Sequence, residues 1–143
     1  MRGRGVGLSM ALLGLSAVCF AKADGAWLKK VPQAEHERVN PLAGQPDAIA
    51  AGRNLFLDHC AKCHGKDAEG KHSRPALRSD RIRGATDGDL AWLLKNGEVF
   101  NGMPRWAGLP EQERWQIVAY LRSLNEGEAR PPEAPAAGTG VQP

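Results

Sequence analysis

Gly52-Arg53-Asn54-Leu55-Phe56-Leu57-Asp58-His59-Cys60-Ala61-Lys62-Cys63-His64 is the stretch from which the rest of the chain is read. Gly52, Phe56 and Cys60 stand four apart, so on a helix they line one face. That face runs into Cys60-Ala61-Lys62-Cys63-His64, a C-x-x-C-H pattern, the signature of covalent haem c attachment. The spacing has a geometric reason. Two thiols separated by two residues reach two vinyl groups on adjacent pyrroles of one porphyrin, and each forms a thioether. The next residue turns its imidazole to the iron as proximal ligand, and the bonds hold the haem in both oxidation states. Two other chemistries use the same residue types. A thioredoxin-like pair requires a βαβ setting, and no segment here sustains strand alternation. Zinc requires four ligands; Cys60, Cys63, His64 and His72 could be counted, but the adjacent Cys63 and His64 can hardly converge on one tetrahedral ion. The motif therefore assigns Cys60 and Cys63 to the cofactor and His64 to its iron.

Working outward, the pattern predicts three helices. The first runs from Asp47 or Ala48 to Cys60, with Pro46 and Asp47 as start signals. The second runs from Asp87 to Asn96, with Thr86 as N-cap, Asp89 completing a capping box and Gly97 ending it. Leu90, Leu93 and Leu94 form its apolar stripe. The third follows Pro110 and runs from Glu111 to Asn125, with Glu111 and Glu113 at its N-terminal dipole end and Arg122 at the other. Ile117, Leu121 and Leu124 recur at helical spacing on it. The fold class is all-α, with a folded domain over about residues 47–125. The connection Gly65 to Ala85 is long and irregular, as loops that serve a site are.

The sixth ligand follows by elimination. Past the first 23 residues the chain has one methionine, Met103, in Asn101-Gly102-Met103-Pro104 between the second and third helices. A methionine framed by Gly and Pro on a loop is a poor core filler and a good presented ligand. His59 is too near the attachment motif to reach the opposite face of the haem, and His36 lies in the preceding arm; His72 is the remaining rival. A His/Met pair suits electron transfer and fills both axial positions, which argues against catalysis at the iron.

With these residues in view, the chain resembles the class I cytochromes c over about residues 47–125. Gly52-x-x-x-Phe56-x-x-x-Cys60 resembles that family's first helix and haem motif. Met103-Pro104-Arg105-Trp106-Ala107-Gly108 resembles its ligand loop, and Ile117-Val118-Ala119-Tyr120-Leu121-Arg122 its last helix. The resemblance implies a small cytochrome c-like helical domain of three main helices wrapped around one covalent haem. It also implies that the first and last helices cross at Gly52, with Phe56 and Tyr120 packed there, and that the Pro75 carbonyl accepts a hydrogen bond from the proximal imidazole. Trp92, Trp106 and Arg74 become candidates for the haem edge or propionates.

The ends of the chain set its compartment. Met1-Arg2-Gly3-Arg4, the apolar run Gly5 to Phe20 and Ala21-Lys22-Ala23 form the three-part layout of a signal peptide, residues 1–23, cleaved after Ala23. The apolar run is shorter than the roughly 20 residues of a membrane span, so no stable span is expected after cleavage. Val18 is too bulky to precede a lipidated Cys19. Residues 24–46 read as an extended surface arm anchored by Trp27 and Leu28, and 126–143 as a disordered Pro/Ala/Gly-rich tail.

Removing 1–23 takes Arg2, Arg4 and Lys22 and leaves 16 basic against 16 acidic groups, so the formal +3 belongs to the leader and gives no support for nucleic-acid binding. Residues 62–83 keep a local excess of +4, a surface for an acidic redox partner. The expected function is a periplasmic one-electron carrier, using haem c and its iron, between partners such as a dehydrogenase, oxidase or reductase. The alternatives are a cytochrome subunit held permanently in such a complex, and a haem enzyme with an open iron position.

Overall fold

The computed structural model describes residues 25–126. Among them six α-helices follow in order: α1 (Gln33–His36), α2 (Pro46–His59), α3 (Ala61–His64), α4 (Asp80–Gly84), α5 (Asp87–Asn96) and α6 (Glu111–Glu126). Short 3-10 turns lie at Ala26–Lys30 and Val99–Asn101. The described residues contain no strand, only the isolated bridges Lys71 with Arg74 and Glu98 with Met103. The three long helices are those expected, each within a residue or two of its sequence-based bounds. α2 begins at Pro46, because proline at the first helical position sacrifices a donor that has no intrahelical partner there. The capping box that opens α5 is complete: Asp89 N–H donates to Thr86 Oγ1 at 3.1 Å, and Thr86 N–H donates to the Asp89 carboxylate at 2.8 Å. The expected signal peptide 1–23, and the expected tail 126–143 past its first residue, lie outside the described residues.

α2 and α6 cross at Gly52. A Cβ there would lie 1.9 Å from the Gln116 carbonyl oxygen, so only glycine lets the two backbones approach this closely. Phe56 is fully buried beside the crossing and meets Tyr120 at 5.3 Å between ring centroids, tilted by 54°. Ile117, Val118 and Leu121 of α6 and Leu90 and Leu94 of α5 complete the core.

Three expectations are corrected. The segment 24–46 is not an extended surface arm over its described part. Trp27, in the first 3-10 turn, is buried in the core cluster. Further on, Asn40 is buried and donates to the Trp115 carbonyl at 3.0 Å, and the Arg38 guanidinium sits 5.0 Å over the Trp115 ring. Arg38 also pairs with Glu111 and holds that carboxyl below its ordinary range. The segment folds because it meets partners on α5 and α6, which no local period announces. Second, the connection 65–85 is not irregular throughout, since it ends in α4. Arg122 does not serve the end of its own helix either. It donates to Asp87 at 2.6 Å and to the Ile82 carbonyl at 2.9 Å, joining α6 to the α4–α5 corner.

Candidate haem site

The residues singled out in the sequence converge on one cavity of about 340 Å³, within the usual range for a ligand pocket. Cys60, at the C-terminal end of α2, and Cys63 and His64, on α3, line it, as does half-buried Met103. Apolar walls come from Phe56, Leu90, Leu94, Ile82 and Leu121. No disulfide joins Cys60 and Cys63. The Cys60 thiol is pushed up to about 12, first by burial and then by neighbouring Cys63, so it stays neutral. A sulfur in that setting suits an uncharged thioether better than a thiolate ligand.

His64 Nδ1 lies 2.9 Å from the Pro75 carbonyl oxygen. That carbonyl can only accept, so Nδ1 carries the proton and Nε2 keeps its lone pair for a metal. Burial pushes the imidazole below its ordinary range; the Pro75 hydrogen bond opposes this, and the Arg74 guanidinium adds to it. A neutral imidazole is the form that ligates iron. Among the described residues no three His, Cys, Asp or Glu side chains group as a metal site.

Met103 is presented by a short, closed turn. Glu98 and Met103 exchange both backbone hydrogen bonds, each at 3.0 Å. Gly97 opens the turn with φ +67°, and a Cβ there would lie 2.7 Å from the Pro104 backbone, so both conformation and space require glycine. Arg74 Nη1 donates to the Asn101 carbonyl at 2.7 Å, tying this turn to the segment that carries Pro75. Trp106 N–H donates to the Leu94 carbonyl at 2.8 Å and anchors the following loop on α5.

The rival histidines separate. His72 is exposed, with φ +54°, and does not line the cavity. His36 Nδ1 sits 2.9 Å from the Asp89 carboxylate, away from the cavity. His59 lines the cavity and packs on Trp106, with ring centroids 5.0 Å apart. Arg74 and Trp106 line the cavity as expected, but Trp92 does not; it lies beside Arg38, Lys95 and Glu111 at a separate polar hollow. Trp27 also lines the cavity, where the sequence placed it only as a surface anchor. Its pairing with Leu28 in an otherwise polar arm marks an anchor, and only the fold shows what it is anchored against.

A helical shell around an apolar cavity bearing a C-x-x-C-H motif defines a c-type cytochrome domain. The chain belongs to the family described as cytochrome c oxidase, cbb3-type, subunit III, whose model matches residues 47–121. It is 37% identical over 87 residues to the cbb3-type cytochrome c oxidase subunit CcoP of Rubrivivax gelatinosus, covering 59% of this chain and 28% of that protein. It is 36% identical over 88 residues to cytochrome c-554(547) of Halothiobacillus neapolitanus, covering 52% of this chain and 94% of that one. Among solved structures, cytochrome cL from Methylophaga aminisulfidivorans is similar with a TM-score of 0.52 and 32% identity, over 58% of this chain and 57% of that chain. The chain thus spans less than a third of the CcoP subunit and nearly all of the small cytochrome. Its cofactor is haem c with iron, and Cys60 and Cys63 have the attachment spacing. Its family works by electron transfer rather than by catalysis of its own.

Proposed function

We propose that this chain is a periplasm-facing one-electron carrier in which Cys60 and Cys63 hold haem c and His64 and Met103 ligate its iron. The observation that carries the reading is that both cysteines, His64 and Met103 line one apolar cavity, with His64 Nδ1 committed to Pro75. Bound there, the haem supplies an iron that gains and loses one electron. The protein's part would be to offer His64 and Met103 as ligands, to exclude water with the cavity's apolar walls, and to hold the imidazole in one orientation. The test is a visible spectrum of the haem-loaded protein with added carbon monoxide. The oxidised protein should carry a methionine–iron signature, and the reduced protein should not take up carbon monoxide. Ready uptake by the unmodified protein would overturn the reading.

The basic segment is the docking candidate. Lys62, Lys66 and Lys71 are exposed on the segment that carries the haem motif and its loop. Transfer to an acidic protein partner should slow as salt rises, since encounter is steered by screened charges. A rate flat in stopped-flow measurements across ionic strength would exclude this surface.

A second reading has its own support in the CcoP and FixP relatives, which are subunits of cbb3 oxidases. The domain would then serve inside such a complex, and co-purification at fixed stoichiometry with other subunits would distinguish it from a free carrier. No helix among the described residues is long and apolar enough to cross a membrane.

A further inference from the structure

We infer that the 3-10 turn Ala26–Lys30, which precedes the family-matched region, is a wall of the haem cavity, with Trp27 as the residue that keeps water from it. A five-residue turn has no stability of its own, yet Trp27 is only 8% exposed and lines the cavity together with Gly25 and Ala26. The turn lies at both ends against residues that also line the cavity. At its start, Gly25 has φ +73° and passes so close to Arg81 that a Cβ would lie 2.9 Å from Arg81 Nε. At its end, Lys30 Nζ reaches the Glu98 carboxylate at 2.7 Å. The turn therefore runs along the cavity from the α4 side to the turn that presents Met103.

The rest of the segment is fastened well away from the cavity. The Thr86 hydroxyl donates to the His36 carbonyl at 2.7 Å, and the Glu35 carbonyl lies so near Gly88 that a Cβ there would come within 1.8 Å of it. Asn40 closes the segment on the Trp115 carbonyl at 3.0 Å. These contacts, the buried Asn40 bond among them, place a segment that contributes one large apolar side chain to the cavity. Trp27 is thus a positioning residue. It keeps the dielectric around the iron low, and a low dielectric disfavours the more positive oxidised state and raises the reduction potential.

The inference rests on the haem reading but not on which residue is the sixth ligand. Its test is the midpoint potential of the haem-loaded full chain, measured for the parent, Trp27→Ala, Trp27→Phe and Asn40→Ala alongside thermal unfolding. Trp27→Ala should lower the equilibrium constant for reduction at least threefold, about 28 mV at 59 mV per tenfold. Trp27→Phe should stay within twofold of the parent. Asn40→Ala, which loosens the segment without touching the cavity, should shift the potential in the same direction as Trp27→Ala. A Trp27→Ala protein that melts earlier but keeps the parent's potential would overturn the inference. Where Trp27→Ala yields no haem-loaded protein, an unshifted Asn40→Ala potential overturns it. Failure of the methionine ligand is read separately, from the parent's own spectrum and carbon monoxide uptake.

Discussion

Gly52→Ala is expected to cost the folded protein at least ~3 kcal/mol, the upper part of the range for overpacking a core. The reason lies in what the new methyl group would meet. The Gln116 carbonyl oxygen stands 1.9 Å, its carbon 2.5 Å and the Ile117 nitrogen 3.1 Å from the added Cβ. All three are backbone atoms in the middle of α6, so no side chain can swing aside, and the two helices have to separate. Separation would unpack Phe56 from Tyr120 and open the cavity lined by Ile117 and Leu121. For a domain of this size, such a loss should lower the melting temperature of the haem-loaded protein by roughly 12 °C or more. Gly108→Ala is the control, since nothing lies within 4 Å of its added Cβ; its melting point should stay within a few degrees of the parent. Equal melting of both variants would mean that α2 and α6 do not cross at Gly52.

Met103→Ala should change the chemistry and spare the fold. Met103 is half-buried on a turn held by its backbone, through the paired bonds to Glu98 and the Arg74 bond to Asn101. Truncating the side chain leaves those bonds intact and removes the thioether beyond Cβ. The reduced variant should then bind carbon monoxide, and its midpoint potential should fall by at least one tenfold step in the reduction equilibrium, about 59 mV for one electron. Met103→His should keep carbon monoxide out while still lowering the potential, because a second nitrogen replaces the thioether that favours the reduced iron. An alanine variant that stays blind to carbon monoxide, with an unmoved potential, would point to another ligand.

These two residues show how differently site and fold are encoded. Met103 could be singled out because its surroundings are local: the Gly102-Met103-Pro104 sequence marks a turn whichever fold contains it. Gly52 is different. Its place in an i, i+4 row is visible, but the residue it must accommodate lies 64 positions away on α6. Only the resemblance to known cytochromes supplied that crossing in advance. The tryptophans divide in the same way. Trp27, Trp92 and Trp106 look alike as isolated aromatic residues, and nothing local says that the first and third line the cavity while the second lies at a polar hollow.

By itself the sequence determined the haem-attachment pattern, the three long helices and the presented methionine, because each depends on neighbours within a turn or two of chain. A C-x-x-C-H motif, a Thr86–Asp89 capping box and a Gly97 terminus act through residues three to five positions apart. The tertiary structure alone decided that the N-terminal arm is folded, that Trp27 lines the haem cavity and that Arg122 ties α6 to the α4–α5 corner. Those outcomes rest on contacts between segments 35 or more residues apart, such as Arg122 with Asp87 and Asn40 with the Trp115 carbonyl. Such contacts follow from packing and from satisfying buried polar groups, and leave no period in the chain to be read.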